Sequence, residues 1–381
     1  MNPQQVFCPN SACPASGQVG QDNIRIHSRT PPRYRCAQCC KTFSHRRGTA
    51  FYLAHTQAET ITLAVNLVAH GCPIEAIVAV FGFQARTVRA WIERAGAHCE
   101  AVHNEMVVRP RDLGQVQADE IRVKTQGGRN GAGVIWMAMA MMVTTRLWLG
   151  GVCSPSRNRE LIEQVVGFVY RCAIPSPLLP LLIAVDGLAS YVGAVQRAFR
   201  TPQSTGHRGR PRLVPWAGVV IGQVVKQYVW EGGKRVGLEV SRRLAQGTQE
   251  QLAALIERTQ GWGVLNTAYI ERLNATFRAR LACLGRRTHN LTRKVEALHC
   301  GMYLVGTLYN FCTYHTSLLS EQGVRRTPAM AAGITDHRWS LWELLWHRVP
   351  QQVAPTHTVR APAPQLPLLS RPPQLQQELV A

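Results

Sequence analysis

Acidic side chains are scarce in this 381-residue sequence, which has 22 Asp and Glu residues against 43 Lys and Arg residues. The formal net charge is +21 and the pI is near 10.2. Such a cationic chain predicts a polyanionic partner, and nucleic acid is the first candidate. A membrane surface is a weaker candidate, because no basic amphipathic helix or lipidation signal stands out.

Long hydrophobic runs are also lacking. The first residues, MNPQQVFCPN, contain no apolar core of the kind that opens a signal peptide. The uncharged run GAGVIWMAMAMMVTT stops at Arg146 and is shorter than the roughly 20 residues of a membrane-spanning helix. Most of the 12 cysteines are scattered singly in apolar surroundings, which favours a reducing cytoplasm over a disulfide framework.

The exception to that scatter is a paired cysteine pattern within residues 1–50. Cys8 and Cys13 form C-x4-C, and Cys36 and Cys39 form C-x2-C. Two such knuckles supply the four thiolates of a tetrahedral zinc site and can stabilise a segment too small for a core. This pattern predicts a zinc ribbon, with unrelated cysteines as the alternative. Three neighbours are less favoured as replacement ligands: Cys40, His27 and His45.

Residues 51–108 are predicted to form an all-α unit. AETITLAVNLVAHG, PIEAIVAVFG and QARTVRAWIERAG have helical periodicity, with Gly71 and Gly82 at helix ends and Pro73 near a first turn. A helix, a glycine-containing turn and an arginine-bearing helix indicate a helix-turn-helix. An ordinary three-helix packing unit is the alternative. The exposed side chains predicted to contact DNA are Gln84, Arg86, Thr87, Arg89 and Arg94.

Residues 109–348 are predicted to form an α/β domain with a mixed sheet flanked by helices. Strands are predicted in LGQVQADEIRVKT and in both halves of the GVIWMAMAMMVTTRLWLGGVCS hairpin. The continuous apolar run LLPLLIAVDGL is typical of a strand buried on both faces. Helices and further strands alternate after it, which favours the α/β class. Residues 349–381 are rich in Pro and Gln and are predicted to be a disordered tail.

Three of the scarce carboxylates lie on separate elements of this third part. Asp119 is in its first strand, Asp186 ends the most buried strand, and Glu271 is on a late helix. Open α/β sheets place their sites at strand ends, and converged carboxylates repel each other unless a cation lies between them. Oxygen ligands of this kind suit Mg²⁺ or Mn²⁺.

Each acid also has an ordinary interpretation. Asp119 can be an exposed strand residue, Asp186 a turn former, and Glu271 an ion-pair partner. Glu120 competes with Asp119, and the alternation of a regular strand predicts that only one of the two joins the site. Around Glu271, the apolar row Ile270, Leu273, Phe277, Leu281 and Leu284 is predicted to be buried. The neighbouring face carries Asn274, Ala275, Arg278 and Ala282 with Glu271.

Several stretches together resemble the DDE transposases of bacterial insertion sequences, in particular the group named after insertion sequence one. They are YRCAQCCKTFS, QADEIRVK, LLIAVDGL, YIERLNATFRARLACLGRRT and RRTPAMAAGITDHRWSLWELL. The resemblance extends from about Cys8 to Leu345. It implies an RNase H-like catalytic core, cleavage of double-stranded DNA at element ends, strand transfer into target DNA, and Mg²⁺ as the usual metal.

The resemblance assigns Asp119, Asp186 and Glu271 as the catalytic acids. It implies that the basic stretch after Glu271 contacts DNA, through Arg278, Arg286 and Arg287. It also implies a homo-oligomer on DNA, because two ends must be joined, and hence a location at the nucleoid. Two alternatives stay open: a domesticated DNA-binding regulator without catalysis, and an RNase H-like nuclease acting on branched or hybrid nucleic acid.

Two further motifs have competing interpretations. The string GHRGRPRLVP resembles the core of an AT-hook, which lays arginines in a narrow minor groove, and a chance basic loop is the alternative. Its predicted DNA contacts are Arg208, Arg210 and Arg212. The row Trp339, Trp342 and Trp346 is interpreted as a core stripe, with a subunit contact as the less favoured alternative.

Overall fold

The structure is a computed structural model, and it describes residues 2–126, 133–174, 176, 179–203, 211–292 and 294–350. The predicted α/β class is confirmed, since a six-stranded mixed sheet is flanked by helices. The predicted tail lies outside the described residues from 351 on, as do Arg208 and Arg210 of the basic motif.

The N-terminal part is a small antiparallel sheet. A 3-10 helix, Pro3–Gln5, precedes strands β1 (Ile24–Arg29), β2 (Pro32–Cys36) and β3 (Thr42–Ser44), which pair in the order β1-β2-β3. Its core is separate and small, and it combines the four cysteines with five apolar side chains: Val6, Ala15, Ile24, Tyr34 and Phe43. So small a core stabilises a fold poorly, and such units commonly depend on a metal.

Three helices follow: α1 (Ala58–Ala69), α2 (Ile74–Phe81) and α3 (Ala85–Met106). Gly82 ends α2 in the left-handed conformation with φ of 71°, as its position predicts. The third helix is longer than its sequence pattern suggests, because it continues for ten residues beyond Gly96. A Cβ at Gly96 would collide with the carbonyl of Cys300, so this glycine permits a close helix crossing.

The other elements follow in chain order. The strands are β4 (Gln115–Lys124), β5 (Val134–Met142), β6 (Trp148–Ser154), β7 (Leu181–Asp186), β8 (Arg200–Gln203), β9 (Arg212–Pro215), β10 (Val219–Glu231), β11 (Lys234–Gln246), β12 (His315–Leu319) and β13 (Arg325–Arg326). The helices are α4 (Arg159–Cys172), α5 (Ala189–Ala198), α6 (Gln249–Gln260), α7 (Ala268–Arg280), α8 (Val295–Cys312), α9 (Pro328–Ala331) and α10 (Leu341–Trp346).

The large sheet has the strand order β11-β10-β7-β4-β5-β6. β10, β7 and β4 are parallel, and antiparallel hairpins extend the sheet at both edges. β4 pairs with β7 only as far as Gln117 opposite Ala184. Beyond that pair the two strands have no ladder between them, and Asp119 and Asp186 lie at this opening.

Helices cover both faces of the sheet. On one face, α4 and α5 pack against Ile183 and Val185 of β7. On the opposite face, α6 packs against Leu182 and Ala184. The start of α7 is tied to this second face, because the backbone amide of Ile270 donates to the side chain of Gln117 at 3.0 Å. The continuous apolar run that predicted a strand buried on both faces therefore describes β7.

The C-terminal helices join the parts of the chain. α8 is buried along most of its length between α3 and the sheet, and Gly306 lies directly against the ring of Trp148. In α10, the ring of Trp346 lies 4.9 Å from that of Phe51, in the segment after the small N-terminal sheet. Trp339 is buried and Trp342 is partly exposed.

Within the described residues, no helix combines the length and the apolar composition that crossing a bilayer would require.

Candidate functional site

Four cysteine thiols converge in the N-terminal part. One sulfur from each of Cys8, Cys13, Cys36 and Cys39 lies within 4.8 Å of all the others. The Cys8 and Cys39 sulfurs are 3.5 Å apart, and those of Cys13 and Cys36 are 3.9 Å apart. Sulfurs bound to one tetrahedral zinc ion are separated by about 3.8 Å, given zinc–sulfur bonds of about 2.3 Å. The cluster therefore fits zinc.

The surroundings of these thiols also suit a bound cation. The backbone amide of Lys41 is the main cause that lowers the pKa of Cys39 to about 6, whereas burial raises the pKa of Cys8 and Cys13. The Asn23 side chain donates to the Cys36 sulfur at 3.7 Å. The less favoured ligands stay outside the group: Cys40 and His27 are exposed, and His45 stacks on Trp346.

The second cluster lies where β4 and β7 separate. One carboxylate oxygen from each of Asp119, Glu120 and Asp186 lies within 4.8 Å of the other two. Glu120 thus lies near the site as well as Asp119, and the expectation that only one of the two binds a metal stays a prediction. The pleat of β4 points Asp119 and Glu120 to opposite faces of the sheet. Because β4 and β7 no longer pair at this level, both side chains can still come near Asp186.

Asp119 points toward α7. Its Oδ2 accepts a hydrogen bond of 2.8 Å from the side-chain amide of Asn274, and its Oδ1 accepts one of 2.8 Å from the backbone amide of Glu120. Burial is the main cause that raises the pKa of Asp119 to about 7, and the nearby charges of Glu120, Asp186 and Glu271 contribute to the same rise. A carboxyl group that resists ionisation in this way gains from a cation beside it.

Glu271 lies on α7 one turn before Asn274, and the structure places it outside the tight cluster. Its Oε1 accepts a hydrogen bond of 2.7 Å from the Thr267 hydroxyl and forms an ion pair with Lys226 of β10. Burial favours a raised pKa for Glu271, but the Lys226 and Thr267 hydrogen bonds outweigh it, and the pKa is lowered overall. Its charge acts on Asp119.

The predicted apolar row of α7 is buried, and the helix ends earlier than the row. Ile270, Leu273 and Phe277 are buried in the helix, whereas Leu281 ends it and Leu284 lies in a following 3-10 turn. Burying an aromatic side chain such as Phe277 contributes about 2 kcal/mol. This packing holds the Asn274 side of α7 against β4.

The acid cluster fits a hard divalent cation. Carboxylate oxygens are the ligands that Mg²⁺ and Mn²⁺ prefer, and two oxygens on one Mg²⁺ ion lie at most about 4.2 Å apart. Asp119 and Asp186 come close to that separation, and their mutual repulsion is part of what raises the pKa of Asp119. The Asn274 Oδ1 is buried and accepts no hydrogen bond from the described residues.

The predicted DNA-contacting side chains lie on several surfaces. At the start of α3, Gln84, Arg86 and Arg89 are exposed, and Thr87 and Arg94 are partly buried. Arg89 lies 3.8 Å from Glu75 of α2. After Glu271, Arg278 is partly buried and Arg286 and Arg287 are exposed. Arg212, the described member of the basic motif, is exposed at the start of β9.

Sequence reasoning missed two cations of this site. Arg157 contacts Glu120 and Asp186, and Lys226 contacts Glu271. Arg157 precedes α4 in an irregular loop, where no periodicity marks it. The alternation of β10 does place Lys226 two residues after Val224, which pairs with Asp186. That offset was a usable signal once the strand pairing was known.

The chain was compared with known proteins. No family model matches it, and no curated protein matches it. Among solved structures, it overlaps with a chain from a cryo-EM structure of a piggyBac transposase synaptic complex with hairpin DNA. The two are 9% identical, the overlap covers 77% of this chain and 71% of that one, and the TM-score is 0.34. So loose an overlap carries no argument about this chain.

Proposed function

We propose that this protein is a DDE-type DNA transposase, which cuts the ends of an insertion element and joins them to target DNA. The observation that carries the proposal is the meeting of Asp119 and Asp186 where β4 and β7 separate. Glu271 is the proposed third acid. Its helix reaches Asp119 through the hydrogen bond from Asn274.

In this proposal Asp119, Asp186 and Glu271 hold Mg²⁺ or Mn²⁺. When bound there, two such ions would supply activation of a water or a 3′-hydroxyl and stabilisation of the leaving oxygen at a phosphodiester. The chain's own residues prepare the ligands. Asn274 orients Asp119, while Thr267 and Lys226 orient Glu271. The basic composition supports a DNA substrate.

The proposed parts are a zinc ribbon at 1–50, a helix-turn-helix at 51–108, an RNase H-like catalytic domain with C-terminal helices at 109–348, and a tail at 349–381. Arg86 and Arg89 at the exposed start of α3 support DNA reading by the second part. Arg286 and Arg287 support backbone contact near the acids. We propose that the protein works as a homo-oligomer on double-stranded DNA in the cytoplasm, at the nucleoid.

The test is an in vitro cleavage assay with Mg²⁺ and the DNA ends that flank the gene. Asp186→Asn should abolish cutting and leave DNA affinity unchanged, since it removes a ligand and no DNA contact. Glu257→Gln is the matched control, because Glu257 is an exposed carboxylate on α6 outside the acid cluster. Cutting by Asp186→Asn at the wild-type rate would refute the assignment.

Two outcomes would indicate the other functions. Specific binding of the flanking DNA without any cutting by the wild-type protein would indicate a regulator. Cutting of branched or hybrid nucleic acid in preference to element ends would indicate an RNase H-like nuclease. The acid cluster favours an enzyme over a regulator, because Asp119 is held beside other acids in a way that raises its pKa, and such a cost is expected where a cation is used.

A further inference from the structure

Glu120 has a different environment from the other acids of the cluster. Its side chain is completely buried, whereas that of Asp186 is 37% exposed. Its Oε2 accepts two hydrogen bonds from the Arg157 guanidinium, at 2.7 Å and 3.1 Å. The buried Tyr191 hydroxyl is a further neighbour. Glu120 thus lies on the α4 and α5 face of the sheet, opposite Asp119 and Asn274.

Arg157 is held in one orientation by three neighbours. Besides Glu120, its Nη2 donates to Asp186 Oδ2 at 3.3 Å, and its guanidinium lies 5.0 Å from the centre of the Trp136 ring. The side chain is 33% exposed. A planar guanidinium fixed on a carboxylate and an aromatic ring loses little further freedom when it binds an anion.

The guanidinium keeps donors for such an anion. An arginine has five N–H donors, and the contacts with Glu120 and Asp186 use Nε and Nη2. Among the described residues, no acceptor pairs with Nη1. The two N–H groups of Nη1 remain, and each can donate a charge-assisted hydrogen bond to a phosphate oxygen.

We propose that Arg157 contacts the scissile phosphate, and that Glu120 is the positioning residue that holds Arg157 and does not bind the metal. This rests on the proposed function, because it takes the DNA backbone as the substrate. Asp119 and Asp186 then remain for the cation, with Glu271 on the same face. The Arg157 guanidinium compensates the charge of Glu120 through Oε2, so this carboxylate has less need of a metal, while its buried Oε1 has no hydrogen-bond partner among the described residues.

Measuring metal affinity tests whether Glu120 differs from Asp119 and Asp186, the acids proposed to hold the cation. Mn²⁺ titration by calorimetry should give Glu120→Gln an affinity close to wild type, because glutamine keeps an oxygen for Arg157. Asp119→Asn and Asp186→Asn should each lower the affinity for Mn²⁺ tenfold or more. A loss in Glu120→Gln as large as in Asp186→Asn would make Glu120 a metal ligand and overturn the proposal. This readout needs no DNA cleavage.

DNA binding tests Arg157. With Ca²⁺ in place of Mg²⁺, Arg157→Gln should weaken binding of flanking DNA about tenfold and reduce the slope of log affinity against log salt by about one. Arg157→Lys should restore part of the affinity, since lysine keeps the positive charge but lacks the planar guanidinium with its several N–H donors. Arg159→Gln is the matched control, because Arg159 is exposed and pairs with Glu163. An unchanged slope in Arg157→Gln would refute the phosphate contact.

Folding and the proposed function are controlled separately. Removing Arg157 alone leaves Glu120 buried without its partner, so Glu120→Gln/Arg157→Gln provides a variant that buries no unpaired charge. It should fold and show the same reduced salt slope as Arg157→Gln. If the wild-type protein cuts no DNA, the proposed function fails, while the Mn²⁺ and salt measurements still decide the roles of Glu120 and Arg157.

Discussion

The two ligand clusters of this protein differ in how far along the chain their members lie. The four thiols come from two short turns, Cys8 to Cys13 and Cys36 to Cys39, on a small sheet with its own core. Asp119 and Asp186 come from β4 and β7, which are neighbours in the sheet but are separated along the chain by two strands and a helix, and the proposed third acid, Glu271, lies on the later helix α7. A cluster made by local turns can be recognised by spacing, whereas one made by sheet topology depends on how strands pair.

They also differ in what surrounds the ligands. The thiols have N–H donors beside them, such as the Lys41 amide and Asn23. The acids have full cations, Arg157 and Lys226, and a carboxyl whose pKa is raised to about 7. The thiols thus have neutral donors around them within a small folded unit, whereas the acids have opposite charges around them. Four experiments test that contrast.

The largest effect is expected from Cys36→Ser. Losing one of four thiolates should release zinc and unfold β1–β3, because structural zinc contributes about 10–16 kcal/mol of apparent binding energy in small zinc modules. Bound zinc per chain and hydrogen exchange of β1–β3 measure this. Cys40→Ser is the control, since Cys40 is exposed and outside the cluster. Full zinc content in Cys36→Ser would show that the cluster is not a zinc site.

The next effect concerns the acids, and here the substitution is expected to stabilise the protein instead of unfolding part of it. The Asp119 pKa is raised from 3.8 to about 7, so its destabilisation is absent below pH 3.8, grows as the pH rises, and is complete above about 7. Asp119→Asn should therefore stabilise the protein at pH 8 without added Mg²⁺, by up to about 4 kcal/mol. Denaturant unfolding at pH 8 and pH 5 measures it. If Asp119→Asn were less stable than wild type at pH 8, the ionised Asp119 carboxylate would not be destabilising.

A smaller effect is expected from Asn274→Ala. It removes a buried hydrogen bond to a carboxylate, which contributes about 1.5–3 kcal/mol. DNA cutting should fall by roughly 10- to 150-fold, since about 1.4 kcal/mol corresponds to tenfold. The exposed Asn290 provides the matched control. Equal cutting by Asn274→Ala and wild type would mean that α7 does not orient Asp119.

The smallest effect is a pH dependence. A proton on Asp119 competes with the cation, so Mn²⁺ affinity should fall below pH 7 by about tenfold for each pH unit. Calorimetric titrations between pH 5.5 and 8 measure it. In Asp119→Asn the affinity should be weaker at pH 8 and nearly flat over this range. A profile that stays steep in Asp119→Asn would assign the titration to another group.

Much of the fold follows from local patterns. The strand around Asp119, the buried strand ending at Asp186 and the buried row of α7 lie where the sequence pattern predicts them. The extension of α3 was not predictable, because a glycine at that position commonly marks the end of a helix. Here Gly96 instead permits close contact with Cys300. Glu120 lies beside Asp119 and Asp186 although the alternation of β4 directs it to the other face, because pairing of β4 with β7 has stopped at that point.

The sequence by itself determined the basic character, the α/β class and the thiol cluster, because charge, periodicity and short spacing act over a few residues. Only the tertiary structure decided which cations accompany the acids. Arg157 reaches Glu120 across 37 residues, and Lys226 reaches Glu271 across 45. Such contacts depend on strand order and on where a ladder ends, and no local pattern in the chain encodes either.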